Sequence, residues 1–150
     1  MQRSNIPQIV RNATGQSQPI RDRYDTRAIE DIFEQSRARE SDLSLLMLST
    51  ADGRAIAESS RLDIDGRRLA AMANSFLTLG ETVSRELALN KADYATICTP
   101  LGNVVLIRIA AGMPLTLTVV ASNTLNLAAL LFHARECAAR VAPVIAAPAN

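Results

Sequence analysis

Aromatic side chains are scarce in this chain of 150 residues: three phenylalanines, two tyrosines and no tryptophan. That argues against a carbohydrate site or a base-stacking surface, both of which lean on aromatic platforms. A charge of one sign is also missing. Sixteen Lys and Arg balance fifteen Asp and Glu, for a formal net charge of +1. A nucleic-acid binder shows a basic excess, and neither an acidic tail nor a polybasic membrane patch is present. There is one histidine, His133, and the two cysteines, Cys98 and Cys137, are far apart. No metal cluster can be assembled from that set, because a zinc site takes about four ligands. Both cysteines are expected to be reduced, unpaired and buried as small hydrophobes.

Long apolar runs are absent as well. No charge occurs between Ile109 and Ala134, but Gly112, Pro114, Thr116, Thr118, Ser122, Asn123, Thr124 and Asn126 interrupt the stretch. A membrane span needs ~20 predominantly apolar residues. The N-terminus lacks an apolar core of signal-peptide length, so a cytoplasmic location is expected.

What is present is a hydrophobic fraction of 48% in a chain long enough for one domain and a core of its own. Residues 1–22, with Pro7, Pro19 and many Gln, Asn, Ser and Arg, read as a flexible polar tail. Residues 23–142 read as the domain and 143–150 as a short C-terminal tail. From Asp25 to Arg39, Ile29, Ile32 and Phe33 mark one helical face. Leu43–Leu48 is a strand-length apolar run. Asp52-Gly53 is a hairpin signal that calls for positive φ at both central positions, and 54–58 is the returning strand.

Asp65-Gly66 opens a second helix, running to about Leu89. Its apolar residues Leu69, Met72, Ala73, Phe76, Leu79, Val83 and Leu87 recur at three- and four-residue steps, and Leu69, Met72, Phe76, Val83 and Leu87 are expected to face the sheet. Gly80 in mid-pattern marks either a close backbone approach or a tolerated surface glycine. Three strands follow at 93–99, 104–109 and 115–121. Short loops between them make neighbours antiparallel. A last helix, capped by Ser122, Asn123 or Thr124, runs to about Val141. Its first half is apolar nearly all round, which predicts burial on more than one side. The order is helix, strand, strand, helix, three strands, helix. That is an α+β sandwich with one five-stranded antiparallel sheet and helices on both faces.

No catalytic constellation emerges. The phosphate-loop and nucleophile-elbow motifs are missing, and His133 sits among Leu131, Phe132 and Ala134 with no triad partner in view. Asp63 and Asp65 suit a helix start better than a metal. No catalytic residue, cofactor or metal is therefore expected.

Several short pieces, in order and at matching spacing, resemble the Roadblock family of dynein light chains and MglB-like regulators of Ras-like GTPases. They are 45–53 (LLMLSTADG), 69–72 (LAAM), 79–81 (LGE), Asp93-Tyr94, 102–107 (GNVVLI), 117–121 (LTVVA) and 126–131 (NLAALL). The resemblance covers about residues 25–141. It implies an αββαβββα sandwich that dimerises through joined sheets and packed second helices. It also implies a non-enzymatic regulator that binds a small Ras-like GTPase and acts on its switch segments. An assembly adaptor without effect on nucleotide turnover is the alternative, and a small-ligand sensor a more distant one.

On that reading Arg67, Arg68, Asn74, Ser75, Thr78, Glu81 and Arg85 face the GTPase. Ala70, Ala71, Ala73, Gly80, Tyr94, Ala95 and Thr96 form the dimer interface, and proline at Ala95 should break its strand pairing.

Overall fold

A computed structural model describes residues 19–147; the expected N-terminal tail therefore lies largely outside the described residues. After a helical turn at Ile20–Arg23 come α1 (Thr26–Arg39), β1 (Leu43–Thr50), β2 (Ala55–Ser60), α2 (Gly66–Glu86), β3 (Tyr94–Cys98), β4 (Gly102–Ala111), β5 (Met113–Ser122) and α3 (Leu127–Ala146). The five strands form one antiparallel sheet in the order β2-β1-β5-β4-β3, as expected from the short connections. β1 and β5, the most buried strands, lie inside the sheet with β4; β2 and β3 form its edges.

Helix starts follow capping chemistry. Asp25 Oδ1 accepts from Ala28 N–H at 3.0 Å, and Asp65 Oδ1 accepts from Arg67 N–H at 3.0 Å and from Arg68 N–H. The cap of α3 is Asn126, which accepts from Ala129 N–H at 2.8 Å, not one of the three residues expected. That helix also continues through Pro143 to Ala146, beyond the expected end, because Val141 and Ile145 still have core to fill.

The Asp52-Gly53 hairpin forms, but with a longer loop than a two-residue turn. Thr50 N–H donates to Arg54 O and Gly53 N–H to Thr50 O, and of the two central residues only Gly53 has positive φ, at +81°. A side chain on Gly53 would place Cβ 2.8 Å from Ala71 Cα, so the hairpin and α2 touch backbone to backbone.

The sheet's alternation divides its residues between two layers. Leu46 and Leu48, with Leu115, Leu117, Val119, Ala121, Val105, Ile107 and Ile109, face α1 and α3. There they meet Ile29, Phe33, Leu130, Ala134, Cys137 and Val141 in one apolar core. The opposite face is covered by α2 alone, and its buried residues include Ser49, Thr116 and Thr118.

Candidate interaction surface

The α2 layer is built from small contacts and one polar cluster. Ala70 packs on Leu45 and Met47, and Ala73 and Leu77 on Leu106. Beside them Arg108, projecting from β4 with its side chain 9% exposed, spends its N–H groups on neighbours. Its Nε and Nη2 donate to Glu81 Oε1 at 3.2 and 2.5 Å. Its Nη1 donates to Asn74 Oδ1 at 3.0 Å and Thr116 Oγ1 at 2.8 Å, and Nη2 also to Thr78 Oγ1 at 3.3 Å. The Asn74 amide in turn donates to Ala51 O in the hairpin. Such a cluster is stable only when every member is satisfied.

This arrangement reverses the expected facing of the helix. Met72 is 57% exposed, Phe76 40%, Leu79 62%, Val83 49% and Leu87 63%; only Leu69 is partly covered. Periodicity identified the stripe correctly as one face, but that face points out. The sheet presents polar groups to α2, so the flank carrying Asn74, Thr78 and Glu81 turns in. Alanines let the helix backbone approach where larger side chains could not. Of the residues assigned to a GTPase contact, Asn74, Thr78 and Glu81 are thus engaged with Arg108, while Arg67, Arg68, Ser75 and Arg85 are exposed. Of those assigned to a dimer contact, Ala70 and Ala73 are buried within this chain, Ala71 and Tyr94 are exposed, and Gly80, Ala95 and Thr96 are partly covered.

Gly80 resolves in favour of the tolerant reading as far as this chain is concerned. An added Cβ would meet only Ala95 Cβ, at 3.9 Å.

The α2 stripe adjoins the free edge of the sheet. Thr99 N–H donates to Gly102 O at 3.0 Å. By antiparallel alternation Ile97 and Ala95 also point their backbone groups at β4. The outward groups are therefore those of Tyr94, Thr96 and Cys98. Proline at Ala95 would damage the β3–β4 ladder, and Thr96 is the position that tests the edge. Among the described residues no strand pairs with that edge.

Cys98 is exposed, contrary to expectation, because β3 is an edge strand, while Cys137 is buried; both are free. Burial pushes the Cys137 thiol up to about 11. Among the described residues no group of three or more His, Cys, Asp or Glu is placed to hold a metal, and no helix is long and apolar enough to cross a membrane.

Arg108 is the residue that patterning overlooks. Its signal is a lone charge inside an otherwise apolar strand, two positions from the inward-facing Leu106.

The architecture is that of a Roadblock/MglB-like fold. MglB of Myxococcus xanthus superposes with a TM-score of 0.68 at 12% identity, over 77% of this chain and 93% of that one. The gliding protein MglB of Thermus thermophilus gives 0.67 at 14% identity, over 80% and 90%. A Roadblock/LC7 domain from Streptomyces avermitilis gives 0.67 at 16% identity, over 76% and 94%. No protein-family model and no curated protein matches the sequence. At these identities the likeness establishes the fold.

Proposed function

We propose that the chain is a non-enzymatic regulator of a small Ras-like GTPase and works as a homodimer. The observation that carries the reading is the α2 stripe, an apolar helix face left outside a fold whose core is otherwise complete. A contiguous exposed apolar surface of this kind marks a protein contact. Its position next to an unpaired strand edge suits a second copy, with β3 against β3 and α2 against α2. The sequence resemblance to MglB-like regulators and the Roadblock/MglB-like fold support a GTPase as the further partner.

Arg67, Arg68, Ser75 and Arg85 are the α2 residues proposed to meet it. Arg68 and Arg85 are the preferred probes, because arginine is over-represented where binding energy concentrates. Regulation follows if the dimer binds one nucleotide state of the GTPase better than the other, which shifts its switch segments by that difference in affinity.

The test is a GTP-hydrolysis and nucleotide-release assay on a Ras-like GTPase recovered with the chain, with and without the dimer. A change in either rate, reduced in Arg68→Ala or Arg85→Ala at unchanged dimer mass, supports the reading. Binding with both rates unchanged makes the chain an adaptor instead.

A further inference from the structure

Three of the five aromatic residues lie at the surface: Phe76 on α2, and Tyr94 and Phe132 on the opposite side of the sheet. The second pair belongs to a different surface from the α2 stripe. The register places it. Tyr94, Thr96 and Cys98 share the α3 side of β3, by strand alternation and by the Tyr94↔Ile107 pairing with a core residue of that layer. On α3, Ala128, Phe132 and Arg135 are four and three residues apart and share one flank. The Arg135 guanidinium lies 5.5 Å from the Tyr94 ring centroid, which fixes that flank beside β3. No helix covers β3 on this side, so α3 forms one wall of an open groove and β3 its floor. The first half of α3, apolar nearly all round and expected to be buried on more than one side, has an exposed flank here: Phe132 is 63% accessible.

Charge distinguishes the two flanks of α3. Towards α1, Glu136 meets Arg39 at 3.1 Å, His133 Nε2 lies 3.7 Å from Glu40 Oε2, and Arg140 donates to Gln35. On the groove flank, Arg135 has no carboxylate partner among the described residues and rests on the Tyr94 ring. Two exposed aromatic side chains and an arginine without a carboxylate partner have the composition of an interface centre.

We infer that the groove between α3 and β3 is a docking site for a partner protein's short amphipathic segment, an apolar anchor on Phe132 and Tyr94 with a carboxylate on Arg135. The flank from Ala128 to Arg135 rises about 10 Å, which matches two turns of a helix. A carboxylate is favoured because it makes a charge-assisted, two-pronged contact with guanidinium. The site lies on the face away from α2, so one chain can hold such a segment while its α2 stripe is occupied, whatever occupies it.

The test uses the full chain and a phage-displayed library of random peptides. The expected result is enrichment of sequences carrying Asp or Glu three or four positions from an aromatic or aliphatic residue. A synthetic peptide of that consensus, followed by fluorescence anisotropy, should lose about tenfold or more in affinity on Phe132→Ser and on Arg135→Ala. Selection repeated on Arg135→Glu should enrich Lys or Arg at the position of the acid. Phe76→Ser should leave peptide affinity unchanged. Melting temperatures of the groove variants should stay at the parent value, since both side chains are exposed. No enrichment, peptides without acidic bias, or affinities insensitive to both groove variants overturn the proposal. So does a change of oligomeric mass in Phe132→Ser, which would assign the groove to a second copy of this chain.

Discussion

On the α1/α3 side of the sheet, large aliphatic residues from two helices meet those of the strands and exclude water, and Ile29, Phe33, Leu117, Leu130 and Val141 are fully buried. On the α2 side the same sheet shows Ser49, Thr116, Thr118 and Arg108, and the helix above it offers alanines, polar groups and the single buried Leu77, while Met72, Phe76, Leu79, Val83 and Leu87 look outward. The first layer supplies stability by area removed from water. The second holds a helix in a fixed position through one polar cluster and close backbone contact. It thereby presents Met72, Phe76, Leu79 and Val83 on a rigid support.

The difference can be broken most severely from the polar side. Arg108→Met leaves Glu81 and Asn74 facing a buried site with no donor, and should cost about 3–5 kcal/mol in urea unfolding. Adding Glu81→Gln to that variant should recover part of the loss, a coupling that a purely apolar layer would not show. On the other face, Leu117→Ala removes a fully buried side chain and should cost about 2–5 kcal/mol, with no partner residue that can restore it.

Gly53→Ala should be worse than its size suggests. It demands positive φ of a residue with a side chain and drives Cβ into Ala71, so a loss of about 1–3 kcal/mol is expected from thermal unfolding. Gly80→Ala should have the opposite sign, a gain of about 1 kcal/mol from helix propensity, since the chain leaves room for the methyl group. If that variant instead weakens self-association, the space beyond Gly80 belongs to a second copy.

The smallest effect concerns the cysteines. A thiol reagent should modify Cys98 promptly and Cys137 only on unfolding. The unfolded chain releases the Cys137 proton near pH 9.0 and the folded chain only near 11, so stability from this group is full below 9.0 and falls as pH rises towards 11. Rapid modification of both thiols in folded protein would contradict the core assignment.

Element order and sheet type were legible in the sequence because alternation, turn residues and caps act locally. Leu115 to Ala121 reads as a strand and is one; Asp65 reads as a helix start and caps α2. The facing of α2 was not legible. Its apolar stripe has the spacing of a core face, and periodicity says which residues share a face without saying which way it points. The deciding information sits elsewhere in the chain, in Arg108, Thr116 and the close approach at Gly53, and becomes visible only when the strands are in register. The same holds for α3, whose apolar first half outnumbers the core positions available to it.

If the α2 stripe is an interface held outside by the polar layer beneath it, sedimentation of the parent chain and of Leu79→Glu will show it. The parent should sediment at twice the chain mass at micromolar concentration. The variant should sediment at the single-chain mass with the helix and strand content of the parent, because Leu79 is 62% exposed and carries no part of the core. A parent that sediments as a monomer, or a folded Leu79→Glu variant that stays at the parent's mass, would contradict this interface assignment.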